Sequence, residues 1–235
     1  MKIQKRLVCF IFFILLSPAL AQDDELYKKI ANETIRDFIL NNPEIILQSL
    51  KRYEEKINIE QDNALRKIIE NELLKSVANG SNYIGGNPSG AITMIEFLDY
   101  KCGYCRKAHD ELKMLLKQNP EIRFVVIEFP ILGEQSMLAS KASISVLMHQ
   151  GRSGYETFSE KLLEYNGQIN NESITKLIKS NGADIQQIKS TMESEQVYTI
   201  LNYNYLIAKK LKISGTPTFI IGTEIIRGYK DINTL

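Results

Sequence analysis

Cys102 and Cys105 are separated by two residues and lie between an apolar run and a helical pattern. The run at 91–98 carries β-branched residues and predicts a buried strand. After the second cysteine, apolar residues recur at helical spacing from 108 to 116, until an Asn-Pro pair ends the pattern. A strand, a Cys-x-x-Cys pair and a helix therefore follow one another closely. This order restricts the fold more than any other feature of the chain.

The rest of the pattern indicates an α/β domain with a helical block inside it. Residues 122–129 predict a second apolar strand. From about 135 to 211 the pattern is helical, with breaks that suggest four or five helices. The stretches 216–222 and 225–228 then predict a closing hairpin. We therefore expect the helical block to be inserted between two β units of a domain that covers 81–235.

The two cysteines are too closely spaced to act as a structural staple. A disulfide between them closes too small a loop to constrain the unfolded chain. At a helix N-terminus, by contrast, the Cys102 thiolate faces unpaired backbone N–H groups and the positive end of the helix dipole, which lowers a thiol pKa. We therefore predict that Cys102 is the attacking sulfur. Cys105, one turn later, is placed to resolve a mixed disulfide at Cys102.

A zinc site is an alternative use of a Cys-x-x-Cys pair. Such a site needs two further ligands, and the whole chain holds three cysteines and two histidines. His109 is the only candidate ligand near the pair, and we expect it to be a helix residue that is hydrated or caps locally rather than a ligand or a proton-transfer group. We therefore expect no metal and no cofactor at this site.

The chain before residue 81 divides into a leader and a helical arm. Residues 1–21 carry a basic start, an apolar run and an Ala-Leu-Ala end, which predict a cleaved secretory signal peptide. The alternative is an uncleaved membrane span, but the apolar run is too short for one. We therefore expect an exported, periplasmic protein. Residues 22–80 predict helices, one of which begins at Asn42-Pro43, where Asn can cap and Pro needs no N–H partner.

The helical arm carries two apolar stripes. The first comprises Ile46, Leu50, Tyr53 and Ile57, and the second comprises Leu65, Ile69, Leu73 and Val77. Such a stripe either folds back on the main domain or packs against copies of itself in a homo-oligomer. The sequence leaves both alternatives open.

The charge balance argues against polyanionic partners. Twenty-nine Lys and Arg residues stand against 28 Asp and Glu residues, which leaves a formal net charge of +1. No strong field therefore attracts nucleic acid or anionic lipid. We expect no nucleic-acid partner.

The motifs resemble a known family. The letters EFLDYKCGYC surround the cysteine pair, and GTPTF follows the helical block. Over about residues 82–230 the chain is similar to the DsbA-like thiol:disulfide oxidoreductases of the bacterial periplasm. The resemblance implies a thioredoxin-like fold with an inserted helical subdomain, here preceded by the helical arm. It also implies that Pro217 is cis and that Thr216 and Pro217 form the edge along which an extended substrate docks.

Two further expectations come from this resemblance. Glu96, six residues before Cys102, matches the acid that family members bury beneath the active site, where a raised pKa suits it to exchange a proton with the resolving thiol. Strand periodicity alone leaves open that Glu96 faces solvent. Asp99 is expected to be a capping or turn residue. Family members usually end with a helix, and the residues at 229–235 are too few for a stable one, so we expect either closure by a single turn or a truncated chain.

The direction of exchange is the least determined property. Gly103-Tyr104 and Thr216 look like the corresponding residues of DsbC and of the trimeric ScsC proteins, and 38–47 is similar to the ScsC segment that joins subunits. These likenesses favour an isomerase or reductase slightly over a DsbA-type dithiol oxidase. The resemblance implies cysteine-containing exported proteins as substrates and a membrane redox partner that resets the cysteines. A periplasmic protein that binds unfolded chains or a metal is the alternative from a different class.

Overall fold

The computed structural model describes residues 24–78 and 80–231. The predicted signal peptide at 1–21 lies outside these residues. The chain divides into two compact units, one up to Gln61 and one from Asp62 onward. Within the described ranges, no helix is long and apolar enough to cross a membrane.

Two helices make up the described part of the first unit. Helix α1 covers 24–41, and α2 (Pro43–Ile68) extends beyond the end of this unit. The helix start predicted at Asn42-Pro43 is confirmed, although the Asn42 side-chain amide donates its hydrogen bond backward, to the Phe38 carbonyl (2.7 Å). Large apolar side chains of the first stripe are exposed to solvent: Ile46, Leu50 and Tyr53.

The second stripe packs into the second unit. Helix α2 continues directly into a π-helical segment (Ile69–Leu73) and then into α3 (Leu74–Ala78). The buried residues of this stripe are Ile69, Leu73 and Val77, which pack against one face of the sheet. The fold-back alternative therefore holds for the second stripe. Because of this packing, the compact units divide at residues 61–62, whereas the sequence pattern places the end of the arm at residue 80.

A five-stranded sheet forms the centre of the second unit. Its strands are β1 (Tyr83–Gly86), β2 (Ile92–Leu98), β3 (Ile122–Glu128), β4 (Thr218–Ile221) and β5 (Glu224–Arg227). The spatial order is β1-β3-β2-β4-β5; β2 and β3 are parallel, and the other pairs are antiparallel. Strand β2 lies in the middle, so both its faces are covered, which explains its apolar sequence.

Helices surround this sheet. Helix α4 (Gly103–Gln118) connects the parallel strands β2 and β3. The inserted block consists of α5 (Glu134–Glu164), α6 (Asn171–Ser180), α7 (Ile185–Met192) and α8 (Glu195–Lys210). The sequence break predicted at 151–154 is a kink within α5, where Gly151 has a φ of 66°. Side chains other than glycine rarely adopt this φ, so the glycine permits the kink.

The two faces of β2 serve different parts of the molecule. Met94 and Leu98 pack in a cluster that includes α4 and the inserted helices. Ile95 and Phe97 pack on the opposite face in a cluster that includes the π-helical segment and α8. The predicted fold class is therefore confirmed: an α/β, thioredoxin-like fold with an inserted helical subdomain and an N-terminal helical region. The junction between β2 and α4, which holds the cysteines, is anchored from both sides.

Candidate active site

The turn between β2 and α4 is held in place by Asp99. Its Oδ1 accepts a hydrogen bond from the Lys101 N–H (2.8 Å), and its carbonyl accepts one from the Cys102 N–H (3.0 Å). Its Oδ2 accepts from the N–H groups of Ile131 and Leu132 (2.8 and 3.0 Å). The prediction of a turn residue is confirmed. Asp99 also ties the turn to the segment that follows β3.

A second buried carboxylate, which the sequence does not single out, anchors the same turn. The Oε1 atom of Glu128 accepts hydrogen bonds from the hydroxyls of Tyr100 (2.8 Å) and Tyr155 (2.6 Å), and Oε2 accepts one from Ser140 (2.7 Å). Burial raises the pKa of Glu128 to about 7, although the hydrogen bonds from these three hydroxyl groups lower it. Glu128 ends an apolar strand, so hydrophobic spacing alone gave no sign of this network.

Cys102 is the N-cap residue of α4, so its side chain lies beside the free N–H groups of the first helical turn. Both Cys102 and Cys105 are free thiols. Their exposed fractions are 8% and 1%, so Cys102 is the more accessible of the two. The Cys102 thiol donates a hydrogen bond to the Thr216 carbonyl (3.0 Å).

The surroundings of Cys102 favour its thiolate. A hydrogen bond from the Cys105 thiol is the largest cause, and the Thr216 side chain and the backbone of Cys105 and Tyr104 add to it. Burial has the opposite effect and raises the pKa of Cys102. The net result lowers the pKa of Cys102 to about 5. This sulfur is therefore a thiolate at neutral pH.

Cys105 is held in its protonated form, whereas Glu96 is mostly protonated at neutral pH and keeps a minor carboxylate fraction. Burial is the main reason that the pKa of Cys105 is raised, and the hydrogen bond with Cys102 and the charge of Glu96 add to it. Glu96 is 4% exposed, and burial, together with the charges of Cys102 and Glu128, raises its pKa to about 8. The solvent-facing alternative for Glu96 is therefore wrong. Its side chain points into the interior, where its charge acts on both sulfurs.

The segment before β4 lies against the cysteine pair. The Thr216–Pro217 peptide bond is cis, as the resemblance implies. Strand β4 pairs with β2 and places Phe219 opposite Glu96, so the residues just before β4 reach the end of β2, where α4 begins. All the site residues predicted from the sequence therefore lie in one region: Glu96, Cys102, Cys105, Thr216 and Pro217.

His109 lies on α4, partly turned into the interior. Its ring is half-buried, and its Nε2 atom is buried with no hydrogen-bond partner among the described residues. Burial, reinforced by the charge of Lys113, lowers the pKa of His109. The expectation of a hydrated or locally capping residue stays a prediction; the ring lines a cavity that Glu96 also lines.

This arrangement is suited to exchange between thiols and disulfides. A thiolate can attack a disulfide, and a protected thiol one helical turn away can then displace the captured sulfur. Within residues 24–78 and 80–231, no group of three or more His, Cys, Asp or Glu side chains could hold a metal ion. The geometry therefore defines a dithiol site at a helix N-terminus in a thioredoxin-like fold.

Sequence similarity assigns the family. A family model described as thioredoxin matches residues 78–235, about two thirds of the chain. The chain therefore belongs to the thioredoxin family. Together with the relatives described next, the match shows a DsbA-like thioredoxin-fold thiol–disulfide oxidoreductase.

Three proteins illustrate the similarity. Disulfide bond formation protein D of Bacillus subtilis (strain 168) is 22% identical over an alignment of 160 residues that covers 64% of this chain and 72% of that protein. The thiol-disulfide exchange protein alpha-DsbA2 from Wolbachia pipientis aligns with a TM-score of 0.67 and 25% identity, over 74% of this chain and 94% of that one. Proteus mirabilis ScsC in a compact conformation aligns with a TM-score of 0.62 and 25% identity, over 85% of this chain and 98% of that one.

The ultraviolet absorbance of the thiolate tests the electrostatics of the pair. In the reduced chain we expect one transition with a midpoint near pH 5, because Cys102 titrates there and Cys105 does not. Cys102→Ser should abolish the transition. Cys105→Ala should move the midpoint upward, because it removes the main hydrogen-bond donor to the thiolate. A wild-type midpoint in the ordinary thiol range, about 8.5, would contradict the assignment of Cys102.

Proposed function

We propose that this protein rearranges or forms disulfide bonds in exported proteins through Cys102 and Cys105. The observation that carries the proposal is the contrast between the two sulfurs: the first is a thiolate at neutral pH, and the second is buried and protonated. A pair with one reactive and one protected sulfur can capture a substrate sulfur and later release it.

The exchange begins when the Cys102 sulfur attacks a substrate disulfide. A new S–S bond joins Cys102 to one substrate sulfur, and the other substrate sulfur leaves with the bonding electron pair and takes up a proton. In isomerisation, a different substrate thiolate then attacks the captured sulfur. Cys102 leaves as a thiolate, so the pair is unchanged and no oxidant is consumed.

Reduction follows when Cys105 attacks Cys102 in the mixed disulfide. The internal S–S bond forms, the substrate sulfur leaves as a thiolate, and the substrate has gained two electrons. Cys105 must lose its proton in this step, and the carboxylate form of Glu96 is the buried base that can accept it. Once Cys102 is bonded to the substrate, its charge no longer raises the pKa of Glu96, which favours this carboxylate form. With a pKa of about 8, Glu96 exchanges protons readily near neutral pH.

Thr216 and Pro217 form the edge along which the substrate docks. The Thr216 carbonyl lies 3.0 Å from the Cys102 sulfur, so a peptide whose cysteine reaches Cys102 must pass beside this segment. An extended peptide can pair with the backbone of Thr216, which would recognise substrates with little regard to their side chains.

Isomerisation or reduction is the favoured direction. It rests on Gly103-Tyr104 and Thr216, which resemble the residues of DsbC and ScsC proteins. A DsbA-type dithiol oxidase is the second candidate. It is favoured by the low pKa of Cys102, because a stabilised thiolate makes the corresponding disulfide more oxidising. A relative named disulfide bond formation protein D also favours it.

The place of action and the partners follow from the signal peptide expected at 1–21. An exported enzyme acts where disulfides persist, so its substrates are cysteine-containing proteins of the periplasm. The Cys pair must be returned to its working state after each net reaction. A membrane redox partner that exchanges disulfides with Cys102 would perform this step.

In this proposal, the helical arm joins copies of the chain into a homo-oligomer. Its described part exposes many large apolar side chains, among them Leu26, Ile35, Phe38, Leu40, Leu47, Leu50 and Tyr53. A helix face of this kind is stabilised when it packs against a second one. The likeness to ScsC supports a second copy as the occupant, since it covers 85% of this chain and so extends beyond the 78–235 matched by the family model.

Recovery of activity from scrambled-disulfide ribonuclease in glutathione buffer tests the direction of exchange. We expect the chain without residues 1–21 to restore ribonuclease activity. Cys102→Ser should restore none, because the attacking thiolate is gone. Cys105→Ala should retain part of the activity, because isomerisation needs only the first sulfur as long as substrate thiols release it.

A parallel assay with reduced ribonuclease separates the alternatives. Failure with the scrambled substrate but oxidation of the reduced one would replace the isomerase with a dithiol oxidase. Failure with both would contradict the enzyme and favour a binding protein. Equal activity of wild type and Cys102→Ser would show that the pair is not the site.

Analytical ultracentrifugation tests the arm. We expect an oligomer at micromolar concentration, and Leu50→Glu should dissociate it by placing a charge on the exposed apolar stripe. Gln48→Glu adds the same charge off the stripe, about half a helical turn away, and should leave the oligomer intact. A wild-type monomer would contradict the proposed role of the arm.

A further inference from the structure

An interior cavity runs alongside the active site. It has a volume of about 90 Å³ and is enclosed by residues of β1, β2, β3, α4 and α5. Glu96 lines it from β2, and His109 lines it from α4. The lining also includes Lys113 and Glu160, which form an ion pair at the surface. The cavity therefore extends from the buried acid beneath the cysteines to groups in contact with solvent.

Two polar atoms in the lining of this cavity lack partners among the described residues. Glu96 Oε1 and His109 Nε2 are both buried, and neither has a hydrogen-bond partner in the described part of the chain. A buried polar atom left unpaired costs about 1–3 kcal/mol, so such atoms normally contact water. One water needs about 10–15 Å³ of cavity volume, so this cavity can hold several. Water can therefore bridge the carboxyl group and the imidazole.

Glu96 needs such a connection to solvent. If it takes the proton of Cys105, as proposed above, it must pass that proton on before the next cycle. The side chain is 4% exposed, and the core packs tightly around it. The cavity leads from Glu96, past His109, to the Lys113–Glu160 pair.

The surroundings of His109 keep its imidazole neutral, and a neutral imidazole can accept a proton. The titratable groups that act on it or share its cavity are Lys113, Asp110, Glu160, Glu164, Glu156, Tyr83, Tyr155 and Glu96. Burial and the charge of Lys113 lower the pKa of His109, and the acidic residues Glu160, Asp110 and Glu164 oppose them only in part. A neutral imidazole at neutral pH has one nitrogen free to accept a proton and one that can donate.

We propose that His109 is a positioning residue for the exchange reaction: through water in the cavity it relays the proton of Cys105 between Glu96 and solvent. This inference rests on the proposed function. During resolution, Cys105 gives its proton to the Glu96 carboxylate, its sulfur bonds to Cys102, and the substrate sulfur leaves with the electron pair. Glu96 then passes the proton through water to His109, which releases it at the Lys113–Glu160 end of the cavity.

Rapid-quench kinetics with oxidised glutathione test the relay. The reduced chain is mixed with the disulfide, quenched in acid and analysed by mass spectrometry, which distinguishes reduced, glutathione-bound and internally oxidised forms. Attack by Cys102 and resolution by Cys105 are thus measured separately, at pH values on both sides of neutrality. The variants are His109→Gln, which keeps a hydrogen-bonding side chain that cannot titrate, and His109→Ala, which leaves room for a small base.

We expect both variants to slow resolution about tenfold at neutral pH and to leave attack unchanged. The loss is smaller than the 100-fold or more typical of a direct acid–base group, since His109 acts one step from the sulfur. Imidazole in the buffer should restore resolution in His109→Ala. The matched control is His149→Ala, which changes the exposed histidine that contacts Thr191 and should behave as wild type with or without imidazole.

Three results would overturn the relay. Resolution at the wild-type rate in both variants would show that the proton does not need His109. Equal slowing of attack and resolution, or a loss that imidazole does not restore, would assign His109 a purely structural role. Failure of the proposed function is distinguishable from all three, because the wild-type chain would then form no glutathione adduct at Cys102.

Discussion

The hydrogen bonds that the start of α4 offers to the Cys102 sulfur are the interaction on which the chemistry depends. They stabilise the thiolate only while the helix N-terminus and the Cys105 thiol keep their positions. Asp99 maintains the turn by binding N–H groups on both sides of the site, and Tyr100 fixes it to Glu128. Because β2 is buried on both faces, this turn cannot move without disturbing the core. The reactivity of one sulfur thus depends on the packing of the whole sheet.

Two buried acids near this turn illustrate how surroundings decide a role. Burial raises the pKa of Glu128 to about 7, although three hydroxyls donate hydrogen bonds that lower it. Glu96 Oε1 has no donor among the described residues, and the pKa of Glu96 rises to about 8. A carboxyl whose pKa is raised by folding binds more protons in the folded state, so Glu96 lowers stability as pH rises from its ordinary pKa to about 8. That cost fits a group retained for proton exchange, whereas Glu128 anchors Tyr100.

Features encoded by neighbouring residues could be predicted from the sequence, whereas features created by distant contacts could not. Apolar spacing and capping rules predicted the strand–Cys-x-x-Cys–helix unit, the turn at Asp99 and the helical insertion, and the family resemblance supplied Thr216–Pro217. The network of Glu128 depends on Tyr100 and Tyr155, which are 28 and 27 residues away. His109 follows the buried Ala108 on α4. The cavity that its ring lines is formed partly by α5, so the spacing of apolar residues within α4 could not predict it.

The central claim is that Cys102 attacks and Cys105 resolves. Trapping of substrate on the Cys105→Ala chain tests it most directly: incubation with scrambled ribonuclease, followed by acid quenching and mass spectrometry of non-reduced peptides. We predict a persistent mixed disulfide through Cys102, and little of it in the wild-type chain, where Cys105 releases the substrate. A Cys102→Ala chain that captures as much substrate through Cys105, or a Cys105→Ala chain that captures none, would contradict this account.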